Sequence, residues 1–401
     1  MNDVGTIERV LVRRLVASFA DVFGDGGVPD WVSRPSAHYR TVPRHGQEAT
    51  LVEVHTSTGL VGVGEAYGLP SSAASQAAVA HTLAPMLLGR DAADIAGAWA
   101  DGFAVLRGHG QTRGPYLEGL AGIDIALWDL AGWAAGRPLR QLLGAPAGVR
   151  LAGYAGSVPF RATEEQSAEH ALGFVAEGFA GIKVKVGRRP DVEARHVASI
   201  RDAVGPRIRL MLDANGMYSV SDAVRLARLV EPYDIDWFEE PVAVGDVPAL
   251  AEVRRRIGQR VAAGECEFTA HGVAELLRRR AIDVLVPNIT KLGGVSELRR
   301  AAGLCELAGV EVSPHGVGTA VGLAAAVHVA AATPAFGSFE VNRLVNPLRD
   351  ELAVRSPVTL HDSALTPLEG PGLGLELDAA VLARYEAGPP MDVSTTTRGV
   401  A

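Results

Sequence analysis

GIKVKVG, at residues 181–187, has the pattern of a β-strand that carries two lysines on one face. Lys183 and Lys185 alternate with isoleucine and valine, which is the period-two pattern of a strand. Both ammonium groups therefore point to one side, and the branched side chains point to the other. Two like charges on one face repel each other, so their purpose has to come from what surrounds them.

The stretch is one of eight strand-like runs between residues 150 and 341, most of them separated by helix-like segments. The runs start roughly 22 to 31 residues apart, which is the length of one strand-plus-helix unit in a parallel α/β barrel. Eight such strands predict an α/β fold with a TIM-type barrel, and an open doubly wound sheet is the alternative. The runs are RLAGYAGS (150–157), GIKVKVG (181–187), RIRLMLDAN (207–215), IDWFEEP (235–241), RVAAGE (260–265), IDVLVPN (282–288), GVEVSPH (309–315) and FGSFEV (336–341).

The first 140 residues have a different pattern and predict an α+β unit in front of the barrel. TLVEVHTSTGLVGVGEAYG (50–68) is typical of an antiparallel hairpin with its turn at 57–59. GLAGIDIALWDLAGWAAG (119–136) is typical of a helix that ends at its last glycine. We assign residues 1–140 to this unit and 141–345 to the barrel, and we expect residues 346–401 to pack back on the first unit.

Charge and cysteine content exclude several classes of partner. The 401-residue chain has a formal net charge of −8, so no basic footprint indicates nucleic acid or an anionic membrane. Two cysteines make no disulfide framework, and the N-terminus lacks the apolar core of a signal peptide, so a cytoplasmic location is expected. The uncharged stretch 313–339 is long enough to span a bilayer, but its alanines, glycines and two prolines favour a packed helix. We expect a homo-oligomer that binds a small molecule and neither nucleic acid nor membrane.

Three carboxylates end consecutive strands of the predicted barrel. Asp213 closes LMLDAN, Glu239 closes WFEEP and Glu265 closes AAGE, at equal intervals along the chain. Residues at the C-terminal ends of adjacent barrel strands lie side by side, where barrel enzymes place their chemistry. Three carboxylates there repel unless a cation lies among them, and oxygen ligands suit Mg²⁺, with Mn²⁺ as a substitute. The alternative is that they are unrelated acids capping the following helices.

The two lysines of the opening stretch end strand two, beside this predicted metal site. A lysine close to another ammonium and to a dication loses its proton more readily, so Lys185 is the predicted base. Lys183 is predicted to lower the pKa of Lys185 and to help bind an anionic substrate. A pair of surface lysines on an edge strand is the alternative, but a closed barrel has no solvated edge.

Strands six, seven and eight also end in polar residues. VPN carries Asn288, with Lys291 following; VSPHG carries His315, and SFEV carries Glu340. A lone histidine is more often structural, but His315 in a ring of polar strand ends is predicted to be catalytic. We expect Asn215, Asn288, Lys291 and Glu340 to bind the substrate or to support the catalytic groups.

Together, K-x-K, D-A-N, E-E-P, G-E and the histidine resemble the enolase superfamily, in its mandelate racemase and muconate lactonizing enzyme branch. GIDIALWDLAGWAAGRPLRQLLG (122–144) looks like the segment that joins the capping domain to the barrel in that branch. The resemblance implies an α+β capping domain over a modified (β/α)₇β barrel, with Mg²⁺ on Asp213, Glu239 and Glu265. It also implies removal of a proton α to a carboxylate, giving a metal-stabilised enolate. The glutamate as third ligand and the histidine on strand seven are similar to the mandelate racemase subgroup.

Asn288 departs from that subgroup, which usually has an aspartate paired with the histidine at this position. Without the carboxylate His315 should be a weaker base, although the amide oxygen of Asn288 can still accept the ring N–H. A symmetric two-base racemase is therefore disfavoured. We expect Lys185 to take the α-proton and His315 to supply a proton to a leaving group or an enolate face.

Three functions remain open from the sequence. The first is Mg²⁺-dependent dehydration or cycloisomerisation of a sugar acid, which the ending VNRLVNPLRDEL (341–352) also resembles. The second is a racemase or epimerase of a hydroxy acid on the same scaffold, and the third is a non-catalytic sugar-acid binder. Specificity is expected in the loop at 23–40. GVGTAVG (316–322) either offers backbone N–H groups to a substrate at a helix start or lets the barrel pack closely.

Overall fold

The computed structural model describes residues 3–361 and 363–395 of the chain. Its first three strands form an antiparallel sheet, which a fourth strand from the end of the chain completes. The second and third strands form the hairpin predicted from the sequence. Gly59 lies in its turn at φ 82°, in the left-handed region that favours glycine. The strands are β1 (Ile7–Ser18), β2 (Gly46–Thr56) and β3 (Val61–Tyr67).

Seven helices belong to this part of the described chain, and the longest packs directly on β3. Glycines allow the close approach, because a Cβ added at Gly64 would lie 1.9 Å from the carbonyl oxygen of Gly122. Residues 72–87 are helical, and a π-helical turn at Val79–Leu83 divides them into two α-helices. The helices are α1 (Phe19–Phe23), α2 (Asp30–Ser33), α3 (Ser72–Ala78), α4 (Ala84–Leu87), α5 (Ile95–Gly108), α6 (Pro115–Ala135) and α7 (Leu139–Leu142).

The barrel consists of eight parallel strands, and all eight runs recognised in the sequence form them. Neighbours along the chain pair in order, and the last strand pairs in parallel with the first. Backbone N–H groups of Val312 and Gly337 donate to the carbonyls of Ala335 and Val312, at 2.8 and 3.0 Å, and join the seventh strand to the eighth. The strands are β4 (Leu151–Val158), β5 (Gly181–Lys185), β6 (Arg209–Asp213), β7 (Ile235–Glu239), β8 (Arg260–Ala263), β9 (Val284–Leu285), β10 (Glu311–Val312) and β11 (Phe339–Asn342).

A helix follows each of the first seven barrel strands, which confirms the predicted (β/α)₇β order over the open-sheet alternative. The sixth strand is followed by a short helix and then a long one. The helices are α8 (Glu164–Ala176), α9 (Pro190–Val204), α10 (Val220–Leu229), α11 (Val247–Arg256), α12 (Thr269–Arg278), α13 (Ile289–Leu292), α14 (Gly294–Ala308) and α15 (Ala320–Ala331). No helix in the described ranges is both long and apolar enough to cross a bilayer.

The tail contacts both parts of the molecule. It contains α16 (Pro347–Asp350), β12 (Val358–His361), β13 (Ala364–Pro367), α17 (Ala379–Tyr385) and β14 (Met391–Ser394). β14 pairs with β1 of the first sheet, whereas β13 pairs with β4 of the barrel. Residues 391–394 therefore return to the first unit as expected, and the middle of the tail stays on the barrel, while residues 396–401 lie outside the described part of the chain.

The inside of the barrel is filled with side chains below the polar strand ends. Alternation along β5 points Ile182 and Val184 into the layer between strands and helices, and points Lys183 and Lys185 inward. A separate buried cluster lies in the interior, so the barrel is a packed core with its chemistry at one end. The cluster comprises Tyr154, Met211, Trp237, Ala262, Val284 and Val286.

Candidate active site

Parallel pairing brings the first two carboxylates and one lysine into a single row. Lys185 is opposite Asp213 in the β5–β6 register, and Asp213 is opposite Glu239 in the β6–β7 register. Glu265 lies two residues beyond the end of β8, after Gly264. Carboxylate oxygens of Asp213, Glu239 and Glu265 all lie within 4.8 Å of one another. The structure therefore brings together the three acids that the sequence singled out.

Lys183 lies below this group and neutralises part of its charge. Its ammonium lies 2.9 Å from Glu239, 3.1 Å from Glu340 and 3.5 Å from Asp213, and its side chain is completely buried. Burial lowers the pKa of Lys183, but the surrounding carboxylates outweigh it and hold that pKa well above the ordinary value. In this geometry Lys183 is a counter-ion beneath the carboxylates, and its contact with an anionic substrate stays a prediction.

Lys185 projects into the cavity above. Its Nζ lies 2.5 Å from Asp213 Oδ2 and donates to Asn215 Oδ1 at 2.9 Å. Burial lowers the pKa of Lys185, and the charge of Lys183 lowers it further. The carboxylates of Asp213 and Glu265 raise it, and their effect wins, so the net pKa lies above the ordinary value. The protein's own charges therefore do not lower the pKa of Lys185, and the lowered pKa expected beside a dication stays a prediction. Lys183 acts in the predicted direction, but Asp213 and Glu265 oppose it.

Glu265 and His315 meet on the opposite wall. His315 Nε2 lies 3.1 Å from Glu265 Oε2 and 3.8 Å from Glu340 Oε2. The first contact has ion-pair distance but not hydrogen-bond geometry, so Glu265 Oε2 is a buried oxygen without a hydrogen-bond donor among the described residues. Burial lowers the pKa of His315, and although both glutamates oppose it the net pKa lies below the ordinary value.

The side chain of Asn288 orients the imidazole differently from the sequence expectation. Its Oδ1 accepts hydrogen bonds from the N–H and hydroxyl of Thr290, at 3.0 and 2.7 Å. Its Nδ2 lies 3.2 Å from His315 Nδ1. The expected ring N–H bond to the amide oxygen is therefore wrong, because Thr290 already uses that oxygen. The bonds from Thr290 identify which end of the Asn288 amide is the oxygen, so the amide NH₂ is the end that faces the ring and donates to His315 Nδ1. In the neutral imidazole the proton therefore lies on Nε2, which faces the carboxylates.

The carboxylate group fits a magnesium ion. It offers three carboxylate side chains whose oxygens lie close enough together to bind one ion. One of these oxygens, Glu265 Oε2, is buried without a hydrogen-bond donor in the described ranges, and a bound cation would take the place of that donor. Glu240, Glu265 and Cys266 form a second group of the same size. That group is a poorer fit, because burial raises the pKa of Cys266 to about 12 and keeps the thiol protonated.

The remaining sequence candidates lie around this centre. Glu340 binds Lys183, whereas Lys291 lies beside the site, with Nζ 3.5 Å from Cys266 Sγ and 4.1 Å from the Tyr67 ring centroid. Sequence reasoning missed Glu65 on β3. Its carboxylate accepts hydrogen bonds from the N–H and hydroxyl of Thr319 and from the N–H of Gly322, so it occupies the helix start that GVGTAVG seemed to offer a substrate.

The cavity above the carboxylates is walled by residues from three regions of the chain. Ser36, His38 and Tyr39 come from the loop at 23–40, which the sequence named as the specificity loop. Sequence reasoning did not single out the others as site residues, although three of them lie in the stretch VNRLVNPLRDEL (341–352). They are Arg44 and Gln47 at the start of β2, Asn342 at the end of the eighth barrel strand, and Asn346 and Arg349 after it.

Comparison with known proteins places this architecture in a family. Residues 28–144 match the family described as mandelate racemase / muconate lactonizing enzyme, N-terminal domain, and residues 166–381 match the enolase C-terminal domain-like family. The chain is 35% identical over 351 residues to the D-galactarolactone cycloisomerase of Agrobacterium fabrum, covering 85% of this chain and 92% of that protein. It is 28% identical to the arabinonate dehydratase of Saccharolobus solfataricus, covering 88% and 94%.

A solved structure shows the same likeness in three dimensions. A racemase from Streptomyces coelicolor A3(2) with bound magnesium superposes with a TM-score of 0.84 at 27% identity, covering 95% of this chain and all of that one. Fold and site thus define a barrel protein with a carboxylate centre and an α+β cap. With both halves matched, the chain belongs to the mandelate racemase/muconate lactonizing enzyme family of the enolase superfamily.

Proposed function

We propose that this protein is a Mg²⁺-dependent lyase or isomerase that removes the α-proton of a sugar acid and then dehydrates or cycloisomerises it. The observation that carries the proposal is the asymmetric pair of groups flanking the carboxylates. Lys185, on β5, hydrogen-bonds to Asp213 and is a base once it has lost a proton, whereas His315, after β10, carries its proton on Nε2, which faces the carboxylates. One side is suited to accept a proton and the other to donate one.

Asp213, Glu239 and Glu265 would hold the metal ion, with Mn²⁺ as a substitute. A bound dication supplies positive charge that balances these carboxylates and stabilises the negative charge developing on the substrate. Lys183 and Glu340 keep the carboxylates in place from below, where the side chain of Lys183 is fully buried. The magnesium in the related racemase structure supports this choice of ion.

Lys185 would act as the base after losing its own proton. Asp213 Oδ2 and Asn215 Oδ1 accept hydrogen bonds from its Nζ and hold the amine at the cavity floor. The amine takes the proton α to the substrate carboxylate, and the electron pair of that C–H bond forms the enolate. The neighbouring carboxylates of the protein raise the pKa of Lys185. A positive charge must therefore balance the Asp213 carboxylate before Lys185 loses its proton and becomes the neutral amine.

His315 would act as the acid. As an imidazolium, whose charge Glu265 and Glu340 stabilise, it would give its Nε2 proton to the oxygen that leaves the β-carbon as the enolate collapses, and would become the neutral imidazole. The protonated leaving group is water in a dehydration, or a ring-opened hydroxyl or carboxylic acid in a cycloisomerisation. Asn288 has no carboxylate that could bind a proton on Nδ1 and so leave the lone pair on Nε2 free to act as a base. This supports one-sided chemistry over a two-base racemase. The relatives named as a cycloisomerase and a dehydratase support the same reaction class.

Deuterium exchange tests this proposal. With Mg²⁺ and a panel of sugar acids in D₂O, Lys185→Ala should lose both product and exchange of the α-proton. His315→Asn should lose product but retain exchange, because Lys185 still forms the enolate and returns a solvent deuteron to its own face. Exchange that survives in Lys185→Ala and disappears in His315→Asn would contradict the assignment. An unlabelled, unchanged substrate with the wild-type protein would favour the non-catalytic binder.

Three further properties stay predictions. A homo-oligomer is to be tested by sedimentation velocity. The net charge of −8 supports the expectation that nucleic acid is not a partner. A cytoplasmic location rests on the two free cysteines, Cys266 and Cys305.

A further inference from the structure

One wall of the cavity carries polar groups that the proton-transfer steps do not use. This wall faces the cavity that also contains Lys185, Glu265 and His315. It is built from the start of β2 and from the segment after β11, which are far apart in sequence. Its polar side chains include Arg44, Gln47, Asn342, Asn346 and Arg349.

Arg44 is held rigidly in this wall. Its Nη2 donates to Gln47 Oε1 at 2.6 Å, and Gln47 Nε2 in turn donates to the carbonyl of Val345 at 2.8 Å. The guanidinium carbon lies 5.6 Å from the ring centroid of Phe19 and 5.4 Å from that of Tyr39. Arg44 Nε is buried without an acceptor among the described residues. The side chain is therefore ordered before any ligand binds, with donor capacity left over.

The charge of Arg44 is unbalanced, unlike the other lysine and arginine charges that line the cavity. Lys185 pairs with Asp213, and Arg349 forms two 2.8 Å hydrogen bonds to the carboxylate of Asp350. Arg44 forms no ion pair with any carboxylate in the described ranges, and the only acceptor bound to its guanidinium there is the neutral amide of Gln47. A half-buried guanidinium with no counter-ion attracts an anion.

Asn346 adds a second unmet hydrogen-bonding group in the same wall. The residue is 6% exposed, and its Nδ2 donates to the carbonyl of Gly318 at 2.8 Å. Its Oδ1 is buried and accepts no hydrogen bond within the described part of the chain. Buried polar atoms are nearly always paired, so an orphaned acceptor beside a cavity indicates a ligand with a donor. A sugar hydroxyl is such a donor.

We propose that Arg44 receives a second, distal carboxylate of the substrate and that Asn346 accepts a hydrogen bond from a substrate hydroxyl, so that the substrate class is open-chain dicarboxylic sugar acids. This inference rests on the proposed function for the orientation of the substrate, whose reacting carboxylate lies at the Asp213–Glu239–Glu265 end. The guanidinium then neutralises the other end through a charge-assisted pair of N–H···O bonds. An acid with a primary alcohol at that end leaves Arg44 unpaired.

Matched pairs of acids test the inference by binding. The pairs are galactarate and galactonate, glucarate and gluconate, and mannarate and mannonate, which differ only in the carboxylate or alcohol at C6. Titration calorimetry with Mg²⁺ uses Lys185→Ala, so that turnover does not interfere. For at least one pair the diacid should bind roughly 10- to 100-fold more tightly. Arg44→Gln should remove that preference and leave the monoacid within about twofold, whereas Arg44→Lys should keep part of it.

Arg255→Gln is the control, since Arg255 is exposed on α11, away from the cavity, and carries the same charge. It should leave the preference unchanged. Equal binding of both members of every pair, a failure of all the acids to bind, or an equal loss for both members in Arg44→Gln would overturn the inference. A diacid preference without turnover by the wild-type protein would contradict the proposed function and leave this inference standing. Turnover of monoacids without a diacid preference would contradict this inference and leave the proposed function standing.

Discussion

Which ring nitrogen of His315 carries the proton depends on the residue at position 288. An amide whose oxygen is already used by Thr290 can only donate to Nδ1, so the proton stays on Nε2. A carboxylate at the same position could accept from Thr290 with one oxygen and from Nδ1–H with the other. The lone pair would then lie on Nε2, and the imidazole would become a base.

Asn288→Asp should therefore change the outcome of the reaction. We expect the variant to exchange the α-proton on the face of His315 and to form the epimer of the substrate in D₂O, because Nε2 can now accept a proton. Deuterium NMR of the recovered acid measures this. Asn288→Ala, which supplies neither donor nor acceptor, should gain no epimer. If it gains as much as Asn288→Asp, the tautomer is not what limits the wild-type protein.

A second residue-scale prediction concerns the metal ligands. Glu265→Gln should weaken Mg²⁺ binding at least about 100-fold, because it removes one of three converging negative charges. The buried Glu265 oxygen that has no hydrogen-bond donor in the described part of the protein would be replaced by part of a neutral amide. Titration calorimetry of the purified protein with Mg²⁺ measures the loss. Glu306→Gln, an exposed change on α14, should bind the ion within about twofold of the wild type. Equal affinities in the two variants would remove Glu265 from the site.

At the scale of elements, β3 and α15 are joined by one buried carboxylate. Glu65, 1% exposed, accepts from the backbone of Thr319 and Gly322 at the first turn of α15. Burial raises the pKa of Glu65, although these hydrogen bonds oppose the rise. A strand of the capping sheet therefore caps the barrel helix that follows His315.

Glu65→Ala should lower the free energy of unfolding by about 2–4 kcal/mol, because it leaves buried N–H groups at the start of α15 without acceptors. Urea denaturation followed by circular dichroism measures the loss. Glu8→Ala, an exposed change on β1, should fall within about 0.5 kcal/mol of the wild type. A Glu65→Ala protein as stable as that control would show that water or another group replaces the carboxylate.

For the whole molecule, α6 is the element that binds the capping sheet to the barrel. One face packs on β3 through glycines, and Asp124 accepts from the N–H and hydroxyl of Ser296 on α14, at 2.9 and 2.6 Å. Asp124 is 1% exposed, and burial raises its pKa to about 7 despite these bonds. The contact is therefore sensitive to pH near neutrality.

The sign of that dependence follows from the raised pKa. The native state keeps the proton of Asp124 up to about pH 7, whereas the unfolded chain loses it near pH 4, so this contribution is complete below about pH 4 and is lost as pH rises through 7. Asp124→Asn has no such proton. Its free energy of unfolding should therefore rise relative to wild type by about 2–3 kcal/mol between pH 5 and pH 8.

Urea denaturation at the two pH values measures this difference. Asp202→Asn, exposed on α9, should show no comparable trend. A constant difference between Asp124→Asn and wild type across the range would mean that Asp124 is already ionised at pH 5 in the native state.

The sequence by itself determined the barrel and its carboxylate centre, because both depend on short-range pattern. Alternation along each strand decides which side chains point inward, and the strand-helix repeat decides that neighbouring strands are parallel. Once those two facts hold, Lys185, Asp213 and Glu239 must lie in one row at the strand ends, as the register shows. The hairpin turn and the end of α6 at Gly136 follow from local backbone preferences in the same way.

Only the tertiary structure decided the groups whose state depends on distant partners. The direction of the Lys185 pKa is a sum over opposing charges at specific distances, and the His315 tautomer depends on whether Thr290 has already taken the amide oxygen of Asn288. Glu65 binds a segment more than 250 residues away, and Arg44 shares a cavity with residues about 300 positions further along, so neither role is marked by a local motif. The sequence pattern predicts which way a side chain points. Its protonation state and its hydrogen-bond partner depend on the groups that surround it in the folded protein.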